Sequence, residues 1–156
     1  MAAPTAVTVV NKPGKDAYMY TNSASNGTPT WTVQDNIKDC TLGDATELYK
    51  SSLRSKRPFN VYVPTMRDLN PKFKIAWMPA DELCVALLAA VTNGTAIDAI
   101  FLDGPIATSG SKGPRADWVV EGFPRTENLA EGMEIEISLK PGLTANVPAL
   151  YTSAGS

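Results

Sequence analysis

The sequence predicts a mainly β protein of the α+β kind: an antiparallel β-sandwich or barrel with one flanking α-helix at about residues 80–93, extended loops and terminal arms. Three observations carry this expectation. The stretch Met133 to Lys140, MEIEISLK, alternates apolar and polar residues strictly before Pro141 and Gly142 end it. Strand side chains alternate with period two, so Met133, Ile135, Ile137 and Leu139 share one face and Glu134, Glu136, Ser138 and Lys140 the other. A sheet with one buried and one polar face is an antiparallel sheet. Second, about six to eight short segments of strand character recur along the chain, parted by turn formers. Third, a single segment carries a helical period.

The elements follow in order. Residues 1–16 are rich in Ala, Thr, Val and Pro without a period, which suits an N-terminal arm ordered only against a neighbour. Ala17 to Tyr20 makes a short strand, and Thr21 to Thr30, TNSASNGTPT, is a connection of small polar turn formers. From Trp31 to Leu42 strand segments are expected with a break around Asp35 and Asn36 and one slip of period, as at a bulge. Residues 43–58 form an extended charged segment, open between a loop and a hairpin, that holds Leu48, Tyr49 and Leu53 and ends in Lys50, Arg54, Lys56 and Arg57. Phe59, Val61 and Val63 share one face of a strand, as do Phe73, Ile75 and Trp77. Pro79, Asp81 and Glu82 suit a helix start, and Asn93 with Gly94 a helix end. Within that helix Cys84, Leu87, Leu88 and Val91 form the stripe expected to lie on the sheet. Ile97 to Leu102 and Ala116 to Val120 are strands on either side of the flexible tract Gly104 to Pro114, and residues 141–156 form a C-terminal tail. The whole chain, 1–156, is expected to be one domain.

Composition narrows the function. A net charge of −2 and a hydrophobic share of 44% suit a globular protein with no bulk preference for nucleic acid. The chain contains no histidine, which removes Ser/His/Asp and Cys/His nucleophilic catalysis, histidine acid–base chemistry and most zinc or copper sites. Its two cysteines, Cys40 and Cys84, lie in no metal spacing and are expected to be isolated buried thiols. No metal and no cofactor is expected. The start, MAAPTAVTVVNKPG, lacks a basic region followed by an apolar core, so synthesis in the cytoplasm and no membrane contact are expected. The triplets Asn26-Gly27-Thr28 and Asn93-Gly94-Thr95 match a glycosylation pattern, but are expected to serve as turns.

Few residues could carry chemistry. Glu134 and Glu136 lie about 7 Å apart on one strand face, within reach of a glycosidase carboxylate pair, but alternating glutamates are the ordinary polar face of a strand. Ser109-Gly110-Ser111-Lys112-Gly113 lacks the spacing and the following helix of a phosphate loop and is expected to be a hairpin loop. Lys50, Arg54, Lys56 and Arg57, with Tyr49, suit contact with an acidic protein partner better than with nucleic acid. Trp31, Trp77 and Trp118 are expected in the core or an interface rather than on a sugar-binding platform.

Three segments together resemble the major tail tube proteins of long-tailed bacteriophages. Trp31 to Ser55, WTVQDNIKDCTLGDATELYKSSLRS, looks like their first strand and charged loop. Phe73 to Gly104, FKIAWMPADELCVALLAAVTNGTAIDAIFLDG, is similar to their strand, flanking helix and return strand. Ala116 to Gly142, ADWVVEGFPRTENLAEGMEIEISLKPG, is similar to their closing strands. The resemblance implies a structural virion protein, not an enzyme, whose hexameric rings stack into a tube through which DNA passes without specific binding. Its partners would be itself and other phage tail proteins, and its location the virion, after assembly in the host cytoplasm. By that pattern Tyr49, Lys50, Arg54, Lys56 and Arg57 are candidate contacts between rings. Glu134 and Glu136 are candidates to face the lumen, where an acidic or neutral wall would not hold DNA. The type VI secretion tube shares this architecture. A capsid decoration or tail-completion protein, or a small carbohydrate-binding β module, remains the alternative.

Overall fold

The computed structural model describes residues 17–51, 53–127 and 132–155, together with Gly14 and Leu129. The expected N-terminal arm therefore lies, Gly14 apart, outside the described residues. Nine strands and one α-helix follow in the order β1 (Tyr18–Asn22), β2 (Trp31–Gln34), β3 (Lys38–Ser51), β4 (Val61–Ala76), α1 (Glu82–Asn93), β5 (Ile97–Leu102), β6 (Lys112–Gly122), β7 (Arg125–Thr126), β8 (Glu134–Pro141) and β9 (Ala149–Thr152). The strand order is β2-β1-β5-β6-β8-β4-β3, with β7 added to β8 and β9 to β6. Every pairing is antiparallel, as the one-sided alternation of β8 requires.

The sheet turns back on itself through β6. The first part of β6 pairs with β9 and β5, and its second part, from Trp118, pairs with β8. Phe73 of β4 and Phe101 of β5 are not sheet neighbours, yet their rings lie 6.1 Å apart. The two halves thus face each other across one core, the sandwich-like closure the sequence predicts. At the crossing, a side chain on Gly113 would run into the Phe101 carbonyl, so only glycine lets β6 approach β5 so closely.

The core consists of alternating strand residues under one helix. Ile135, Ile137 and Leu139 of β8 are buried with Phe73 and Ile75 of β4, Ala99 and Phe101 of β5, and Trp118 of β6. Each large aliphatic side chain so buried contributes roughly 1.5–3 kcal/mol. Trp118 donates its indole N–H to the Ala99 carbonyl at 3.0 Å, so its burial leaves no polar atom without a partner. Met133 departs from the expected face: it precedes β8 and is exposed, because the ladder with β4 starts at Glu134. The run IDAIFL of β5 is buried on both faces. Its second face, Ile100 and Leu102, packs with Tyr20 under Trp31, Ile106 and Tyr151, which explains a nearly unbroken apolar run.

Helix α1 starts after Asp81, carries Glu82 in its first turn, and ends at left-handed Gly94, φ 65°, whose N–H reaches the Ala90 carbonyl. The expected stripe is half right. Cys84 and Leu87 are buried together with Leu83 and Ala90, whereas Leu88 and Val91 are 44% and 43% exposed. The sequence ELCVALLAAVTN is apolar on nearly every face, so its period allows several stripes, and contact with β6 and β5 selects one of them.

Three further expectations change in outline. The strand Phe59–Pro64 and the strand Phe73–Trp77 are one 16-residue strand, β4. Pro64 and Pro71 are tolerated inside it because β8 pairs only with Lys72–Ala76, leaving the edge beside both prolines without a ladder. Residues 43–58 resolve to the hairpin alternative: β3 continues to Ser51 and a 3-10 turn at Arg54–Lys56 leads back towards β4. The expected C-terminal tail contains β9, which pairs with β6. The break at Asp35 and Asn36 and the slip of period are both present, the slip lying between Lys38 and Thr41 where Asp39 takes φ 43°. Cys84 is buried but Cys40 is exposed, because it lies on β3, the outer strand of the order.

Candidate functional site

The far half of the β3–β4 hairpin is a two-stranded ribbon. Leu48 lies opposite Pro64, Tyr49 opposite Val63 and Lys50 opposite Tyr62. Opposed residues share a face and successive ones alternate, so the ribbon shows apolar side chains on both faces. Tyr49 is 64% exposed, Met66 73% and Phe59, just before β4, 76%. The predicted basic residues gather at its end: Lys50 near the close of β3, Arg54 and Lys56 in the turn, and Arg57 directly after. All are exposed. The sequence places the basic residues together with Leu48, Tyr49 and Leu53, but not with their exposed apolar neighbours Phe59, Tyr62 and Met66. The spacing of Phe59, Val61 and Val63 predicts a strand with these residues on one face but does not say whether that face is covered. Where the ribbon joins the sheet, the Arg67 guanidinium forks onto the Asp44 carboxylate and holds that carboxyl below its usual pKa.

Glu134 and Glu136 occupy the outer face of β8, as the alternation predicts, but not alone. Lys74 lies opposite Glu136 and Lys38 opposite Lys74. Lys38 Nζ donates to Glu134 Oε1 at 2.9 Å, and this hydrogen bond holds the Glu134 carboxyl below its usual range. Lys140 reaches Asp68 at 3.2 Å on the same side. The face is a mosaic of lysines and carboxylates. Glu134, its carboxyl held low by Lys38, is the reverse of the raised-pKa general acid that a glycosidase pair needs.

An enclosed ion pair lies elsewhere, between Arg115 and Asp98. Arg115 of β6 donates to both oxygens of Asp98 on β5, at 3.2 and 2.8 Å, and to the Asn26 carbonyl at 3.1 Å. Its guanidinium also lies 4.8 Å from the Trp31 ring centroid. Asn22 and Asn26 complete the Asp98 carboxylate at 3.0 and 3.2 Å. Every strong partner is taken, so this cluster fastens the 23–30 connection to the sheet. Tryptophans form no platform: Trp118 is inside the core, while Trp31 and Trp77 lie under Arg115 and Arg125 respectively. The Ser109–Gly113 segment is a turn into β6, with Ser111 buried and donating to the Pro105 carbonyl at 2.9 Å. Among the described residues no group of three metal-ligating side chains comes together and no helix is long and apolar enough to cross a membrane.

The fold recurs in solved structures. The tail of an empty gene transfer agent particle with C6 symmetry aligns with a TM-score of 0.69 over 90% of this chain and 99% of that one, at 10% identity. The SPP1 tail tube aligns at 0.66 over 92% of this chain and 80% of that one, at 14% identity. The chain has the tail-tube fold. A subunit of the anti-feeding prophage baseplate also aligns, at 0.59 over 97% of both chains and 10% identity. By sequence, no family model and no curated protein matches the chain. The tail-tube fold is thus retained while most residues differ, so the roles of individual side chains have to be argued from this chain's own surface.

Proposed function

We propose that the chain is the subunit of a phage tail tube: a structural, non-enzymatic protein that acts as one domain and assembles into hexameric rings stacked around a DNA conduit. The observation that carries this reading is the far half of the β3–β4 hairpin. A two-stranded ribbon is marginally stable at best, and this one exposes Leu48, Tyr49, Phe59 and Tyr62 to solvent. Such a surface weakens a lone subunit and serves one that is covered by another copy. The shared tail-tube fold supports the same reading, as does the C6 symmetry of the gene transfer agent tail. Tyr49, Lys50, Arg54, Lys56 and Arg57 are the proposed contacts between rings, and the virion is the proposed location, with other tail proteins at the tube ends. Glu134 and Glu136 are the proposed lumen residues. Their interleaving with Lys38 and Lys74 would make that wall charge-balanced rather than acidic, which still provides no continuous positive track to hold a phosphate backbone.

Negative-stain electron microscopy of the purified full chain at high concentration tests the reading. Stacked rings are expected. Monomers with neither rings nor tubes would overturn it, and compact trimers or single rings would support a decoration or completion protein instead. Replacing Lys50, Arg54, Lys56 and Arg57 together by Ser is expected to shorten the tubes and lower their salt resistance. Normal length and normal salt resistance in that variant would remove the basic residues from the ring contact.

A further inference from the structure

A second apolar surface is left uncovered, on the outer side of α1. Met78, Val85, Leu88 and Val91 are exposed there, beside a cleft of about 380 Å³ between Trp77 and the helix, walled by Pro79, Val85, Leu88 and Thr92. The helix contains no lysine or arginine, and its start is acidic. Glu82 and Asp35 are exposed, and Asp81 is half-buried beside Asn36. Arg125, which lies over the Trp77 ring at 5.7 Å, is already paired with Glu127 at 2.6 Å. This surface is therefore apolar and negative. The hairpin tip is its complement, apolar through Leu53 and Phe59 and positive through Arg54, Lys56 and Arg57.

The two surfaces cannot meet within one subunit. The tip adjoins the start of β4 at Val61 and α1 follows its end at Ala76, and sixteen residues of strand span about 50 Å. We propose that the hairpin tip of one copy docks on the α1 face of another. Leu53 and Phe59 enter the cleft beside Trp77 and Leu88, and the basic residues of the turn pair with Glu82 and Asp35. Each copy gives a tip at one end of β4 and receives one at the other, so the contact is heterologous and repeats from copy to copy. The proposal rests on the self-assembly reading and adds the acceptor surface to it. Apolar anchors ringed by opposite charge are the pattern from which such contacts draw both affinity and register.

A photo-crosslinking residue, p-benzoylphenylalanine, placed at position 88 of the full chain tests the contact directly. Irradiation of assembled material is expected to link position 88 to residues 50–62 of a second copy, read by mass spectrometry, with no such link in the dilute subunit. Phe59→Ser is expected to raise the concentration needed for assembly about tenfold, the equivalent of one hot-spot side chain. Glu82→Lys and Arg57→Glu should each weaken assembly, and the double variant should regain part of the loss. An unchanged circular dichroism melt of the dilute variants separates lost docking from lost folding. Tubes whose position-88 links map outside residues 50–62, or that assemble normally with Glu82→Lys and Phe59→Ser, would overturn the proposal and leave the tube reading standing. A wild-type chain that stays monomeric would overturn both.

Discussion

The two halves of β4 belong to one continuous strand and have opposite fates. From Pro71 to Ile75 the strand alternates buried Pro71, Phe73 and Ile75 with exposed Lys72 and Lys74. From Val61 to Arg67, VYVPTMR, apolar residues fall on both faces and none of the seven is buried. The near half has β8 on one side, β3 on the other and the opposite half of the sheet across the core. The far half has β3 alone. Strand-forming residues therefore fix the strand, but burial needs a second layer, and the subunit provides that layer for only half of β4. The far half is left as an exposed surface, and it is on this surface that the proposed assembly rests.

Substitutions in the two halves should diverge most clearly in the subunit's own stability. Phe73→Ala in the near half removes a fully packed ring and is expected to cost about 3–5 kcal/mol in denaturant unfolding of the dilute subunit. A loss under about 1 kcal/mol would mean that the near half is not a core element. Next comes Arg115→Ala, which strips the enclosed Asp98 carboxylate of its partner and frees the 23–30 connection. A loss of about 2–3 kcal/mol is expected, with faster hydrogen exchange at Ser23–Thr30 than elsewhere. Tyr62→Ser in the far half should change subunit stability by under about 0.5 kcal/mol, while sedimentation shows assembly strongly reduced. Equal damage to stability and assembly would erase the distinction between the halves.

The smallest expected effect is that of pH. Asp44 and Glu134 are held below their usual pKa by Arg67 and Lys38. A depressed folded-state pKa adds stability that is present above the unfolded value and lost as pH falls through the folded one. Both pairs are exposed, so a slight loss on acidification through the carboxylate range is expected, reduced further by salt. Asp44→Asn should flatten the acid limb a little. A steeper limb in that variant would contradict the assigned sign.

Much of this was legible without coordinates. β8 could be read residue by residue because its partners on both sides leave one face to the core, and Ile135, Ile137 and Leu139 are buried as the period demands. Helix α1 ended where Gly94 allowed a left-handed cap. The basic residues of the tip were found because they are close in sequence. Leu88 and Val91 were misplaced because a helix apolar all round has no unique stripe, and Cys40 was misplaced because a cysteine's apolar character does not say whether its strand is covered. The Arg115–Asp98 cluster was missed because its members, Asn22, Asn26, Asp98 and Arg115, come from three strands and a loop, and no local spacing announces them.

The sequence by itself determined the class of the protein, the faces of its strands, the ends of its helix and the absence of histidine chemistry, because each depends on side chains within a few residues of one another. The tertiary structure alone decided which of those faces are covered. Burial is a property of two elements brought together, and among the described residues none covers the hairpin tip or the outer side of α1.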